Sequence, residues 1–166
     1  FETEGTDRKH IELPLSHCTL IEQILAVQAN TIVILTNGSP VEMPWLNQAS
    51  TVVEGWLFGQ GGGAAMANIL TGKINPSGKL TETFPIRLED SPSFLHFPGT
   101  AKEVKYSEGI FVGYRYFEKK KIQPLFPFGH GLSYTSFEYN NLMVSNSKIA
   151  DNEVLIVQFS ITNTGR

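Results

Sequence analysis

Acidic side chains gather at the start of the chain: Glu2, Glu4 and Asp7, with Arg8 beside them. A carboxyl group can give up or take a proton in a reaction if its surroundings hold its pKa near the working pH. Residue type alone does not assign that role, and by itself the cluster reads as the solvated surface of a loop. A second segment with chemical potential is Gly59-Gln60-Gly61-Gly62-Gly63-Ala64, which formally fits G-x-G-x-x-A between a predicted strand and a predicted helix. That is the context a dinucleotide phosphate needs. A run of glycines meets the pattern easily, however, and Glu82 falls inside a predicted strand and not at the strand end where a ribose ligand belongs. A tight strand-to-helix turn with close backbone packing is the better reading. Gly72-Lys73 and Gly78-Lys79 do not complete a phosphate-binding Walker A loop.

Other reactive residue types lack the company they need. Asn37-Gly38-Ser39 is a glycosylation sequon, but it sits where a strand must end, so a turn is the better reading. His10, His17, His96 and His130 show no metal-ligand spacing, and Cys18 has no partner motif. No G-x-S-x-G elbow is present. No metal and no cofactor is expected.

The 166 residues suffice for one ordinary domain or one domain and part of another. With 41% hydrophobic and 17% charged residues, the composition is globular. A net charge of -3 and no basic run longer than Lys119-Lys120-Lys121 argue against a nucleic-acid partner. No apolar run reaches membrane-spanning length. The single cysteine rules out an intrachain disulfide and permits a reducing compartment. The start at Phe1, without Met or a signal peptide, reads as a cut boundary, and so does the end just after a predicted strand.

These residues must be positioned by elements that the pattern supplies. Residues 1–15 read as a loop, and 19–27 as a helix from Leu20, Ile21, Ile24 and Leu25. The β-branched run 31–35 predicts a strand covered on both faces, as in parallel sheets. A short helix is expected over 41–46, a second buried strand over 51–58, a helix over 64–70 stopped by Gly72, and a third strand over 79–84. Residues 85–127 read as irregular chain. From Tyr134 the alternation is that of strands. The fold class is α/β: a partial three-layer α/β/α sandwich with a mainly parallel sheet, followed by the first strands of a β-sandwich.

Five segments, in order, resemble the later part of glycoside hydrolase family three. Glu2-Thr3-Glu4-Gly5-Thr6-Asp7-Arg8 resembles the family's E-G-x-D-R loop. Asn37-Gly38-Ser39-Pro40-Val41-Glu42-Met43-Pro44-Trp45 resembles N-G-x-P-V-x-x-P-W. Gly59-Gln60, Gly72, Asn75-Pro76-Ser77-Gly78-Lys79-Leu80 and Thr83-Phe84-Pro85 resemble its G-Q…G…N-P-S-G-K-L…T-F-P string. Segment 106–117 resembles Y-x-E-G-x-F-V-G-Y-R-Y-F, and 126–134 resembles F-P-F-G-Y-G-L-S-Y. Each piece alone is weak, but the ordered set is specific.

The resemblance implies an N-terminal (β/α)8-like barrel that carries a nucleophilic aspartate, absent from this chain. It implies a second α/β sandwich domain, which lends an acid/base glutamate, and a fibronectin type III-like domain after it. The expected division is 1–120 for the partial sandwich with an irregular end, 121–133 for a connecting segment, and 134–166 for the first fibronectin-like strands. Glu4, directly before Gly5-x-Asp7-Arg8, takes the acid/base position, with Glu2 as the fallback. Asp7 and Arg8 are expected to brace the loop. Glu108, Tyr114 and Arg115 are expected to be structural, with Arg115 a buried ion-pair partner. Thr6 stands where the family has an aromatic residue, His130 where it has tyrosine, and Gly61-Gly62-Gly63 is unusually glycine-rich.

The implied activity is retaining hydrolysis of β-glucosides, with the β-glucoside substrate bound together with the missing barrel. Alone, the chain is expected to be inactive, with Glu4 mobile and titrating as an ordinary glutamate. It is also expected to self-associate through the surfaces that a missing half-sheet would leave bare. The rival readings are a non-catalytic carbohydrate-binding or scaffold module and a nucleotide-binding α/β protein.

Overall fold

The computed structural model describes residues 2 and 5–165. Helix α1 spans Leu15–Val27. It begins earlier than residue 19 because Pro14, extended at φ -51 and ψ 136, presents its carbonyl to the amides of His17 and Cys18. An extended Gln28 ends the helix. Its carbonyl and side chain then take hydrogen bonds from Thr31 Oγ1 and the Asn30 amide, which turns the chain into strand β1, Ile32–Leu35. Strand β2, Thr51–Glu54, lies parallel to β1, with Ile32 opposite Thr51 and Leu35 opposite Glu54.

The connection between these strands carries much of the core. Val41, Met43 and Trp45 are buried, while Glu42 between them donates its amide to the Ile11 carbonyl and accepts the Leu88 amide on its side chain. That is a period of two, so the segment is extended and the helix expected over 41–46 is absent. Pro40 and Pro44 explain the difference, since neither can donate an amide hydrogen bond and each disfavours helix in the residue before it. A single 3-10 turn, Leu46–Gln48, follows. The three buried side chains join Leu25 of α1, Val33 and Leu35 of β1, and Phe84 in one cluster. The β1 side chains in this cluster alternate with Ile32 and Ile34, which are exposed. Among the described residues, then, β1 is covered on one face and not on the two expected.

Helix α2 spans Gly62–Leu70 and ends where Gly72 takes φ +72. The expected third strand over 79–84 does not enter the parallel sheet. Instead, Leu80 exchanges backbone hydrogen bonds with residues 129 and 130, and Phe84 with 125 and 126. Phe84, almost wholly buried, packs its ring on Trp56 and Phe126. Asn75 Oδ1 accepts from Ser133 Oγ and the Tyr134 amide, and Tyr134 donates its hydroxyl to the Ile69 carbonyl. The N-P-S-G-K-L and F-G-H-G-L-S-Y segments are therefore two halves of one packed connection.

Residues 85–127 are less irregular than expected. They contain a 3-10 turn, Leu88–Asp90, and helix α3, Tyr114–Lys120, which buries Phe117 and ends at Lys121 in the left-handed region. Lys119 and Lys120 in its last turn suit the negative end of the helix dipole. Strands β3, Phe137–Val144, and β4, Val157–Asn163, form a separate antiparallel pair, exposed throughout. A register shift lies between Asn140 and Met143, where Asn141 takes φ +57. The α/β character, the parallel pair and the antiparallel pair at the end agree with the expected class.

Candidate active site

In open α/β sheets, ligands lie beyond the carboxyl ends of parallel strands. At that edge β1 runs into the 37–40 turn and β2 ends at Glu54. The turn is closed by Asn37, which is buried and donates Nδ2 to the Ser39 carbonyl at 2.9 Å. A side chain so placed suits a turn and not a glycan acceptor, so the sequon is a turn, as expected.

The acidic start of the chain comes back to this turn. Glu2 accepts the Gly38 amide at 2.6 Å on Oε2 and the Ser39 hydroxyl at 3.0 Å on Oε1. Arg8 Nη1 lies 3.4 Å from Glu2 Oε1. Its Nη2 donates to the Pro40 carbonyl at 3.1 Å and also to Ser39 Oγ. Partial burial pushes the Glu2 carboxyl up, but the hydrogen bonds from Gly38 and Ser39 and the Arg8 charge outweigh it and hold the group below the ordinary carboxylate value. A general acid needs the opposite shift. The geometry of Glu2 therefore fits a tether and argues against its fallback role. Arg8 braces the loop, as the sequence suggests. Asp7 is exposed, and Glu4 lies outside the described residues.

Glu54, about half buried, closes the same edge from the other strand. Its Oε1 accepts the Trp56 amide at 2.8 Å and its Oε2 faces Asn37 Nδ2 at 3.3 Å. Burial first, and then the nearby Glu2 charge, push its carboxyl up, and the bonds from Trp56 and Asn37 offset this in part. Trp56 itself takes φ +52, a region rare for a bulky residue. The sequence reading missed Asn37, Glu54 and Trp56 as site residues. The available signal was a carboxylate closing an otherwise apolar strand.

The remaining candidates stand apart. Tyr114 stacks on Phe128, with ring centroids 5.1 Å apart. Glu108 has one carboxylate oxygen shut from solvent with no hydrogen-bond partner among the described residues. Arg115 is exposed on α3 and makes no ion pair among the described residues, so its expected role as a buried ion-pair partner is corrected. On α3 the buried side chain is Phe117, and Arg115, two residues before it, stays exposed. His130 stacks against the Phe126 ring, with centroids 4.9 Å apart. At Gly62 an added Cβ would lie 2.5 Å from Phe58 Cβ, so close packing accounts for a glycine of the 59–63 run. Among the described residues, no group of three His, Cys, Asp or Glu side chains is placed to hold a metal ion.

Comparison with known proteins is consistent over the whole chain. The model of the glycosyl hydrolase family 3 C-terminal domain matches residues 1–134. A thermostable beta-glucosidase B from Acetivibrio thermocellus is 51% identical over 166 residues, which are 100% of this chain and 22% of that protein. A probable beta-glucosidase I from Emericella nidulans is 45% identical over 170 residues, 100% of this chain and 20% of that one. The crystal structure of a beta-glucosidase from Kluyveromyces marxianus in complex with glucose superimposes with a TM-score of 0.90 at 41% identity, covering 99% of this chain and 19% of the other. The chain thus spans about a fifth of the length of the relatives it matches. On the family match and on the ordered likeness along its length, the chain belongs to glycosyl hydrolase family 3, as a portion that includes the family's C-terminal domain.

Proposed function

We propose that this chain is the acid/base-bearing part of a retaining β-glycosidase that hydrolyses terminal β-D-glucosyl residues, with Glu4 as acid/base. The observation that supports it is the double tether. Glu2 and Arg8, on either side of Glu4 in the chain, both bind the 37–40 turn at the carboxyl edge of the sheet. A loop held on both sides can present one side chain to a neighbouring domain at low entropic cost. With Glu2 held below the ordinary carboxylate value, Glu4 is the loop's better candidate for a group that must carry a proton.

Retaining hydrolysis uses two carboxyl groups about 5–5.5 Å apart across the glycosidic bond. An aspartate on the barrel implied by the resemblance attacks the anomeric carbon. The bond to the leaving oxygen breaks as Glu4 gives that oxygen its proton. Glu4, now a carboxylate, takes a proton from water, whose oxygen displaces the aspartate and frees the sugar. On this reading, 1–120 is the sandwich part, 121–133 a connection and 134–166 the start of a fibronectin type III-like domain.

The test joins the chain to its barrel and assays 4-nitrophenyl β-glucoside and β-xyloside, and methyl β-glucoside. The expected results are turnover by the joined protein, none by the chain alone, and a loss of about 100-fold or more in kcat/KM in Glu4→Gln on methyl β-glucoside, whose leaving oxygen needs a proton. Turnover by the chain alone, or full activity of Glu4→Gln on methyl β-glucoside, refutes the reading. No activity in any form favours a non-catalytic binding module.

A further inference from the structure

We infer that Asn37 and Glu54 are positioning residues for Glu4, acting through the turn that holds both ends of its loop. The inference rests on the reading of Glu4 given above. The chain of contacts is continuous. Glu54, at the end of β2, faces Asn37 Nδ2 at 3.3 Å. Asn37 Nδ2 donates to the Ser39 carbonyl at 2.9 Å, which sets the turn. The turn then offers the Gly38 amide and the Ser39 hydroxyl to Glu2, and the Pro40 carbonyl and the same hydroxyl to Arg8. Three segments far apart in the chain are thereby locked at one sheet edge.

The polarity of each group is specified. Asn37 is almost wholly buried, and its nitrogen makes both bonds, while its Oδ1 has no partner among the described residues. The site therefore uses the asparagine as a donor, which an aspartate cannot be. Glu54 uses both oxygens as acceptors, one for the Trp56 amide and one for Asn37. A glutamine has one acceptor oxygen and can satisfy only one of them. Ending a strand would need the Trp56 bond alone. The second oxygen, turned toward Asn37 with no cation paired to Glu54 among the described residues, is what links β2 to the turn. Burying a carboxylate beside the Glu2 charge is unfavourable, and such local cost is typical of positions that serve a site. With both oxygens engaged, Glu54 is better suited to hold the turn than to transfer protons.

The test separates position from folding by leaving-group dependence in the joined protein. A misplaced general acid slows substrates whose leaving oxygen needs a proton and spares those whose leaving group departs as an anion. The probes are methyl β-glucoside and 2,4-dinitrophenyl β-glucoside, compared by kcat/KM in wild type, Glu54→Gln, Asn37→Asp and Ser39→Ala. Ser39→Ala removes one hydroxyl from a partly exposed turn and guards against an unfolded buried variant. The expected result is a loss of about tenfold or more for the methyl glycoside and less than about threefold for the dinitrophenyl glycoside. Equal losses on both substrates, or no loss on either, in variants that fold would overturn the inference. Glu4→Gln is assayed alongside. If it shifts the substrate ratio and the three variants do not, the inference alone fails. If Glu4→Gln leaves the ratio unchanged, the reading of Glu4 fails with it.

Discussion

Two glutamates at one sheet edge are pushed in opposite directions: burial prevails at Glu54, whereas hydrogen-bond donors and the Arg8 charge outweigh it at Glu2. Glu2 keeps 31% of its side chain exposed and is held below the ordinary value by donors and by Arg8. Glu54 is pushed above it, chiefly by burial. The linkage to stability follows from the signs. The lowered folded pKa of Glu2 contributes stability above the unfolded value, about 4.3, and that stability is lost as pH falls through the folded value. The raised folded pKa of Glu54 contributes stability below the unfolded value, lost as pH rises through the folded one. Urea unfolding between pH 3 and pH 7 should therefore find Glu2→Gln weaker than wild type at pH 7, by about 1 kcal/mol or less given its exposure, with the gap closing in acid. The deficit of Glu54→Gln should instead shrink as pH rises. A Glu2→Gln deficit that grew in acid would contradict this account.

Packing overrides propensity at the junction of β2 and α2. Alanine is favoured over glycine in a helix by about 1 kcal/mol, and Gly62 is the first residue of α2. Yet an added Cβ at Gly62 would lie 2.5 Å from Phe58 Cβ, an atom too close to the backbone to swing aside, and overpacking of this kind costs about 1–3 kcal/mol. Gly62→Ala should lower stability by about 1 kcal/mol net, and a raised melting temperature would refute the packing argument. The same competition between local signal and distant partner decides what was legible in the sequence. The strands β1 and β2 show in the runs 31–35 and 51–58 because β-branched residues advertise themselves locally, although the second strand stops at Glu54, before Gly55 and the left-handed Trp56. Residues 79–84 look like a strand and do run alongside a partner, but that partner is 125–130, which no local pattern names. Val41, Met43 and Trp45 alternate in burial, and Pro40 and Pro44 beside them are the cue to extended chain that the helix expectation overlooked. At the site, the E-G-x-D-R resemblance pointed to Glu4, and Arg8 braces the loop as read. The links through Asn37 and Glu54 were hidden because they join three segments distant in sequence.

Across the whole molecule, apolar surface remains bare. Ile32 and Ile34 face outward from β1, and Tyr139, Leu142, Phe159 and Ile161 are exposed on the β3–β4 pair. Among the described residues nothing covers the β3–β4 pair, and two strands so left are marginal in water and favour association. The chain alone should form oligomers or aggregates in light scattering as its concentration rises, and a sharp monomer at high concentration would count against this. The most direct test of the central claim, that Glu4 is the acid/base group, is azide rescue in the chain joined to its barrel. In Glu4→Ala, glucosyl transfer to the barrel aspartate from 2,4-dinitrophenyl β-glucoside should persist, because that leaving group needs no proton, while release of the sugar stalls. Added azide should restore turnover and yield β-glucosyl azide, whose retained configuration records two displacements at the anomeric carbon. Full activity of Glu4→Ala without azide, or no β-glucosyl azide from an otherwise folded variant, would contradict the account.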